Sequence, residues 1–392
     1  MKLVIINICL VFCLSEALLA QQSVDEVLRI VETNNTELIK IGKQFEAGVL
    51  ANKTSLLPEN PEIEFHYLWG NNADVGTRTD FSISQSFDFP TSYVHKKKLS
   101  EYKINQAKLE YFRQKKAILF NAKNICIKLI HKNALIEIYT QSLHQAEQIE
   151  MAVSQKFEQG ASNRIELNKA SLNLLNTRKA LESVIIEKEK LLNELKTLNG
   201  GKDILLNIAV YSVPLLPPDF EAWYKQQAQN NPLLNWLKKQ VEVSEKEIQL
   251  QKAMRLPKVS VGYMSEAIVG EEFKGLTFGV SIPLWENKNK VNYAKINAEA
   301  TESALQHLQV EMYNELKSLH QKAVKLQNTV SDYKQLVEQY SNVNLLKEAY
   351  EQKQLSLIDY LYEQSIYYES LENVLQLEKE LNITFAKLYR FL

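Results

Sequence analysis

The sequence predicts a mainly α-helical protein with a small β part, in which one structural unit occurs twice. Only 11 Gly and 9 Pro occur among 392 residues, so turns are scarce and the elements must be long. Residues 94–156 and 288–349 contain neither Gly nor Pro, which predicts helices of roughly 95 Å at about 1.5 Å per residue. Four shorter stretches alternate apolar and polar residues, as two-faced strands do.

The two halves of the chain repeat the same features in the same order. Asn34-Asn35-Thr36 recurs as Asn230-Asn231-Pro232 at an offset of 196, and later motifs recur at an offset of 193. Gly and Pro cluster between the halves, as they do at a boundary. We therefore expect a first structural repeat over 21–205 and a second over 206–392, each consisting of helix, strand, strand, long helix and helix.

The alternating stretches predict amphipathic strands near 61–70, 79–89, 257–266 and 273–284. Each has about the length that a tilted strand needs to cross a bilayer core, although strands packed on a soluble core show the same alternation. Four strands cannot close into a ring, and open edges in lipid leave backbone groups unpaired. Strands in a membrane would therefore require oligomerisation. Two copies give an eight-stranded ring filled by side chains, and three give a twelve-stranded ring with room for water.

Several other classes are excluded or disfavoured by the sequence. Residues 1–20 have the pattern of a secretory signal peptide, the alternative being an uncleaved anchor. Lys plus Arg (46) balance Asp plus Glu (47), so we expect no nucleic-acid partner. The sequence has no phosphate-binding loop, no His-Glu-x-x-His motif and no nucleophile elbow, and its six His never pair at i,i+4. We therefore expect no enzyme activity, no cofactor and no metal site.

One turn between helices recurs in both repeats. Gly160 suits a chain reversal that needs a positive φ. Asn163 with Glu166, and Ser356 with Asp359, have the spacing of a capping box that opens the returning helix. The two carboxylates could simply cap helices. In an oligomer they could also line a narrow mouth, where acidic rings favour cations, and the two roles are compatible.

Together, these features resemble the TolC family of outer-membrane efflux proteins over essentially the whole mature chain. Three kinds of motif carry the resemblance. The first is the Asn-Asn-Pro stretch, which is whole at 230–232 and altered at 34–36. The second is the strand end Phe87-Asp88-Phe89-Pro90, which leads into His95-Lys96-Lys97-Lys98. The third is a turn with an aromatic residue, a Gly three positions later and an acidic residue nine positions later; it is complete at Phe157, Gly160 and Glu166 and partial at Tyr350 and Asp359.

The resemblance implies a homotrimer in the cell outer membrane, with a helical portion in the periplasm. Its fold would be a long α-helical barrel continuous with a 12-stranded β-barrel, four strands coming from each chain. The implied partners are a periplasmic adaptor (membrane fusion) protein, an inner-membrane efflux pump and outer-membrane lipid. The chain would be a passive exit duct, and its Phe-Asp-Phe-Pro strand end and compact length are similar to the branch that serves heavy-metal cation pumps. Drugs and proteins remain open as cargo.

A different class of protein also fits part of the sequence. Leu167, Ala170, Leu174, Leu181 and Val184 follow a heptad pattern, which predicts that this helix packs side by side with another. A periplasmic coiled-coil scaffold without channel activity would show the same heptads. It would not explain four alternating strands of bilayer length.

The resemblance also implies roles for the two turns, which would form the periplasmic end. The implied gate residues are Glu166, Leu355, Asp359 and Tyr362, and the implied adaptor contacts are Gly160, Ala161, Ser162, Lys353 and Ser356. The second turn departs from the family pattern, because Leu355 replaces an Arg, Tyr362 an Asp and Lys353 a Gly. A gate locked by ion pairs is therefore not expected. Packing by Leu355, Tyr360 and Tyr362 could close the mouth, or these side chains could fill the seam between helices.

Overall fold

The structure, a computed structural model, describes residues 23–54, 56–71, 76–212, 215–285, 287–340 and 343–390. The predicted signal peptide, 1–20, lies outside these ranges. The described helices are α1 (Val24–Asn34), α2 (Thr36–Thr54), α3 (Pro90–Glu158), α4 (Arg164–Leu198), α5 (Phe220–Asn230), α6 (Pro232–Ala253), α7 (Lys290–Gln339), α8 (Val343–Glu351) and α9 (Leu357–Leu388). The strands are β1 (Glu62–Trp69), β2 (Thr77–Phe87), β3 (Lys258–Ile268) and β4 (Glu271–Ser281). Helices dominate and the strands are few, so the predicted mainly α class with a small β part is confirmed.

The strands form one antiparallel sheet in the order β1-β2-β3-β4. Its register gives each face a distinct character. One row across the sheet contains Ile63, Ile83, Tyr263 and Leu276, whereas the neighbouring row on the other face contains Glu64, Ser82, Met264 and Gly275. The two-residue period of the sequence thus becomes an apolar face and a face of polar or small residues.

The repeated Asn-Asn motif is a capped helix break. The side-chain oxygen of Asn35 accepts the Leu38 N–H at 2.8 Å, one turn into α2. The oxygen of Asn231 accepts the N–H groups of Leu233 and Leu234 at 2.9 and 3.1 Å in α6. Both asparagines are buried. The second Asn of each pair therefore satisfies helix-start donors that would otherwise lack a partner.

The two long helices differ between the repeats. The 69 residues of α3 form one continuous helix of about 104 Å. The expected unbroken helix over 288–349 is wrong, because α7 ends at Gln339 and α8 begins at Val343. Residues 341–342 lie outside the described ranges. The sequence there is Ser-Asn, two residue types that compete with the helical backbone for hydrogen bonds and favour a helix end even without Gly or Pro.

The chain divides into two compact units, and each takes segments from both repeats. The first unit covers 1–34, 122–213 and 329–382, and the second covers 35–121, 214–328 and 383–392. Both turns between long helices belong to the first unit, and the whole sheet belongs to the second. In the described ranges, no helix combines the length and the apolar character that crossing a lipid bilayer would require.

Candidate functional site

The two turns between long helices, called tip 1 (157–166) and tip 2 (350–359), have the same backbone design. In tip 1 the Gly160 N–H donates to the Phe157 carbonyl at 3.0 Å, and the Ala161 N–H to the Lys156 carbonyl at 2.7 Å. In tip 2 the Lys353 N–H donates to the Tyr350 carbonyl at 3.1 Å, and the Gln354 N–H to the Ala349 carbonyl at 2.8 Å. This pair of bonds defines a Schellman motif, which satisfies the last carbonyls of a helix.

The residue at the centre of each Schellman motif must adopt the left-handed conformation, and the tips fill this position differently. Gly160 has a φ of 72°, as predicted for tip 1. Its equivalent 193 residues later is Lys353, with a φ of 61°. A side chain with a Cβ is strained there, because the Cβ crowds the following carbonyl oxygen. Tip 2 therefore contains backbone strain that tip 1 avoids.

The returning helices begin with the caps that the sequence predicts. The Asn163 side-chain oxygen accepts the Glu166 N–H at 2.9 Å, and the Ser356 hydroxyl accepts the Asp359 N–H at 3.1 Å. The carboxylates point back to the cap region, where Glu166 accepts from the Ser162 hydroxyl at 2.5 Å and Asp359 from the Ser356 hydroxyl at 2.6 Å. Asn163 and Ser356 are therefore the capping residues, and each carboxylate is held beside its cap by a serine hydroxyl. Negative charge at these helix starts also suits the helix dipole.

A shared hydrophobic core, the tip core, holds both tips in the first unit. Its buried residues are Ile149, Val153, Ala170, Leu357 and Tyr360, which come from α3, α4 and α9. Tyr350 packs against this core, with its ring centroid 5.2 Å from that of Tyr360. Because α3 and α4 belong to the first repeat and α9 to the second, the tips are braced against each other.

A lysine of α3 adds an electrostatic contact to this arrangement. The Lys156 ammonium lies 5.0 Å from the centre of the Tyr350 ring, a distance typical of a cation–π interaction. Burial raises the pKa of the Tyr350 hydroxyl, and the Glu166 carboxylate acts in the same direction. Tyr350 therefore stays neutral, with its ring bound by an ammonium from the other hairpin.

The predicted site residues have different degrees of exposure. Gly160, Ala161, Lys353 and Ser356 are exposed, and Ser162 is half-buried. Among the predicted gate residues, Glu166 and Leu355 are half-buried, and Asp359 and Tyr362 are exposed. Tyr360 is only 2% exposed and fills the tip core, so of the two alternatives for this residue, the helix seam is the one observed.

The apolar face of the sheet in the second unit is exposed. Leu276 and Phe278 of β4 are 74% and 77% exposed, and Ile63, Phe65 and Trp69 of β1 are also exposed. Exposed apolar surface of this extent on a folded chain marks a site of contact with lipid or protein. The outer edges of β1 and β4 have no partner strand within the described sheet.

The opposite face of the sheet contains charged groups and tightly packed glycines. The Arg78 Nε donates to the Asp80 carboxylate at 2.8 Å and lies 3.2 Å from the Glu266 carboxylate. A Cβ on Gly262 would lie 2.5 Å from the Ile83 carbonyl oxygen, and one on Gly279 would overlap Ser260. Glycines with such close neighbours on one face are expected where a sheet curls toward that face. The sheet is therefore expected to curl toward its polar face.

Known structures share this fold. One is a crystal structure of CusC from work on its folding and transmembrane channel formation. It has a TM-score of 0.79 at 15% identity, covering 94% of this chain and 92% of that chain. The Campylobacter jejuni CmeC outer membrane channel gives 0.71 at 18% identity, covering 94% and 84%. The Neisseria gonorrhoeae MtrE outer membrane channel, in its open state, gives 0.72 at 11% identity, covering 94% and 88%. No family model matches the chain, and no curated protein matches it either.

The chain has the fold of these outer-membrane channels. The predicted resemblance to the TolC family is thereby confirmed for the fold, and the predicted outer-membrane location agrees with the names of these structures. The likeness covers more than nine-tenths of this chain and therefore extends over both repeats.

Within this channel fold, sequence reasoning missed two residues that organise the tips. Lys156 and Tyr350 form the cation–π contact between the hairpins. A signal was present, because Lys156 immediately precedes the aromatic residue of tip 1 and Tyr350 is the aromatic residue of tip 2. Their pairing required knowledge of how α3 and α8 lie together in the first unit, which neither local motif contains.

Proposed function

We propose that this chain is the outer-membrane channel of a tripartite efflux system, a passive exit duct whose substrates are driven by an inner-membrane pump through a periplasmic adaptor. The observation that carries the proposal is the two-faced, four-stranded sheet with open edges in a chain with the fold of outer-membrane channels. The energy for transport would come from the pump, since the chain itself is proposed to have no reaction.

The sheet supports a trimer embedded in lipid. Its exposed apolar face suits contact with acyl chains, and its polar face suits a water-filled interior. Unpaired edges are costly in lipid, so β1 of one copy would pair with β4 of the next. Three copies give a 12-stranded β-barrel, wide enough for an aqueous lumen.

The helices of the first unit also support association between copies. Besides its buried seam, α4 exposes Ile165, Leu172 and Ile186, which are separated by 7 and 14 residues. An apolar stripe at these spacings is typical of a helix that packs against another helix. We propose that a neighbouring copy covers this stripe and that the copies together complete a helical barrel.

The tips would form the periplasmic mouth. Exposed Gly160, Ala161, Lys353 and Ser356, with half-buried Ser162, would contact the adaptor, and Glu166, Leu355, Asp359 and Tyr362 would line the gate. The tip core supports this assignment, because it holds the exposed residues on a braced backbone. Heavy-metal cations are the cargo that the resemblance favours, and drugs and proteins remain open.

Adjacent residues of β2 offer a sharp test of the duct. Ser82 lies on the polar face and Ile83 on the apolar face. In a Cys126→Ser background, we expect a charged, membrane-impermeant thiol reagent to reduce the conductance of Ser82→Cys in planar bilayers and to leave that of Ile83→Cys unchanged. Cys126 is the free cysteine of the described residues, and its replacement removes the background thiol.

The alternative is a periplasmic coiled-coil scaffold without channel activity. It predicts that the protein fractionates with soluble periplasmic material and leaves planar bilayers electrically silent. The channel predicts extraction only with detergent, a mass of three copies and measurable conductance. A monomer without conductance would contradict the proposal.

A further inference from the structure

A cavity of about 500 Å³ lies in the first unit, beside the point where the second long helix is broken. The last turn of α7, the start of α8 and the middle of α9 form its walls. Three tyrosine rings line it, from Tyr333, Tyr340 and Tyr367, together with Leu336, Leu346 and the Glu363 carboxylate. It is distinct from the tips and from the sheet.

This cavity belongs to the second repeat alone. At the offset of 193, Glu363 corresponds to Ala170, which is buried in the tip core, and Leu346 corresponds to Val153, also buried there. In the first repeat α3 continues without a break past the equivalent position. The first hairpin buries a small apolar residue where the second has an exposed carboxylate. Packing of the hairpin therefore does not require an acidic residue at position 363.

The electrostatics of the lining favour a positive charge. Glu363 contributes a carboxylate, and among the described residues that line the cavity none is basic. Leu336 lies in the last turn of α7 and Tyr340 directly follows the helix, where the terminal carbonyl groups carry partial negative charge. Tyrosine ring faces are also negative and attract cations. The same unit provides a precedent, since the Tyr350 ring binds the Lys156 ammonium at 5.0 Å.

We propose that this cavity binds an organic cation with an apolar, ring-containing body. Its volume lies within the roughly 300–1,000 Å³ of small-molecule pockets, and a mostly apolar wall with one charged group is their usual composition. A bare metal ion would find only one strong ligand, and an anion would meet the carboxylate. The ring of Tyr367 is held in place by an edge contact with Tyr368, whose hydroxyl donates to Gln145 at 2.8 Å. One aromatic wall is therefore preorganised for the ligand.

Two ions of the same geometry and opposite charge test this proposal. Isothermal titration of the assembled protein in mild detergent with tetraphenylphosphonium should give saturable binding. Tetraphenylborate should bind at least about tenfold more weakly, because the carboxylate and the ring faces then repel the ligand. Glu363→Gln should weaken tetraphenylphosphonium binding by about tenfold. Glu369→Gln, an exposed acidic residue of the same helix outside the cavity, should leave binding unchanged.

Three results would overturn the proposal. These are equal binding of the two ions, tetraphenylphosphonium binding that Glu363→Gln does not weaken, and no binding to the assembled protein, which would mean that a second copy covers the cavity. The outcome is separate from that for the duct. A protein that conducts but binds no tetraphenylphosphonium refutes the cavity alone, and one that binds it but leaves bilayers silent refutes the duct alone.

Discussion

Exchanging the residue type at the centre of each tip should change local stability in opposite directions. A residue with a Cβ in the left-handed conformation costs about 1–2 kcal/mol, and Gly loses about 0.5–1 kcal/mol more backbone entropy on folding. Lys353→Gly should therefore stabilise tip 2 by about 0.5–1 kcal/mol, because the φ of 61° no longer opposes a side chain. Gly160→Ala should destabilise tip 1 by a similar amount.

Crowding does not complicate this comparison. A Cβ on Gly160 would meet no atom within 4 Å, so only its φ of 72° opposes the substitution. Hydrogen exchange followed by mass spectrometry on peptides covering 157–166 and 350–359 measures the effect directly. Protection of the Gln354 N–H should rise about two- to fivefold in Lys353→Gly, and that of the Ala161 N–H should fall by a similar factor in Gly160→Ala.

A glycine with ordinary helical geometry provides the control. Gly48 lies inside α2, and a Cβ there would also meet no atom within 4 Å. Gly48→Ala should stabilise its helix by about 0.5–1 kcal/mol, the opposite sign to Gly160→Ala. Reduced protection of tip 2 in Lys353→Gly, or increased protection of tip 1 in Gly160→Ala, would refute the account of strain given above.

Three further predictions concern the cap of α6, the buried His131 and the two tips. Asn231→Ala removes the cap of α6 and should lower the stability of the folded chain by about 1 kcal/mol, seen as a lower thermal midpoint by circular dichroism, whereas Asn231→Asp should restore it. Burial lowers the pKa of His131 to about 4, with Lys379 acting in the same direction, so the folded chain favours the neutral imidazole. The contribution of this neutral imidazole to folding stability is complete above pH 6.5 and is lost as the pH falls toward 4. His131→Leu should remove about 2 kcal/mol of that acid sensitivity in urea unfolding measured between pH 7 and 4, and an unchanged pH dependence would contradict the assignment. Gly160→Pro, which cannot adopt the required φ, and Leu355→Asp should both impair export while leaving trimer assembly intact; normal export by both would count against the tip assignment.

Local patterns predicted the elements whose cause is local. The two-residue period of β2, with Phe81, Ile83 and Phe87 against serines and Asp80, predicted its two faces because alternation follows from strand geometry alone. The capping residues Asn163 and Ser356 could be predicted equally well, because a cap bonds an N–H only three residues away. The sign of φ at Gly160 followed from residue type.

Features with a non-local cause could not be predicted in the same way. Burial of Tyr360 depends on Val153 and Ile149 of another hairpin, more than 200 residues away in sequence, so no motif around residue 360 could indicate it. The end of α7 at Gln339 is a different case. Helix propensity favours continuation through residues without Gly or Pro, so the sequence did not predict this helix end.

The departures from local rules are concentrated in one hairpin. The second repeat contains the strained Lys353, the interrupted long helix and the carboxylate-bearing cavity, whereas the first repeat uses Gly160, a continuous α3 and Ala170 at the equivalent positions. The two copies of a duplicated unit begin with identical residues. Selection for stability alone would therefore favour the features of the first repeat in both repeats. Strain persists where the surrounding structure compensates for it, and here the tip core, to which α3 and α4 contribute Ile149, Val153 and Ala170, supplies that compensation. The first hairpin therefore acts as the support, and the second is where functional specialisation of this chain is expected.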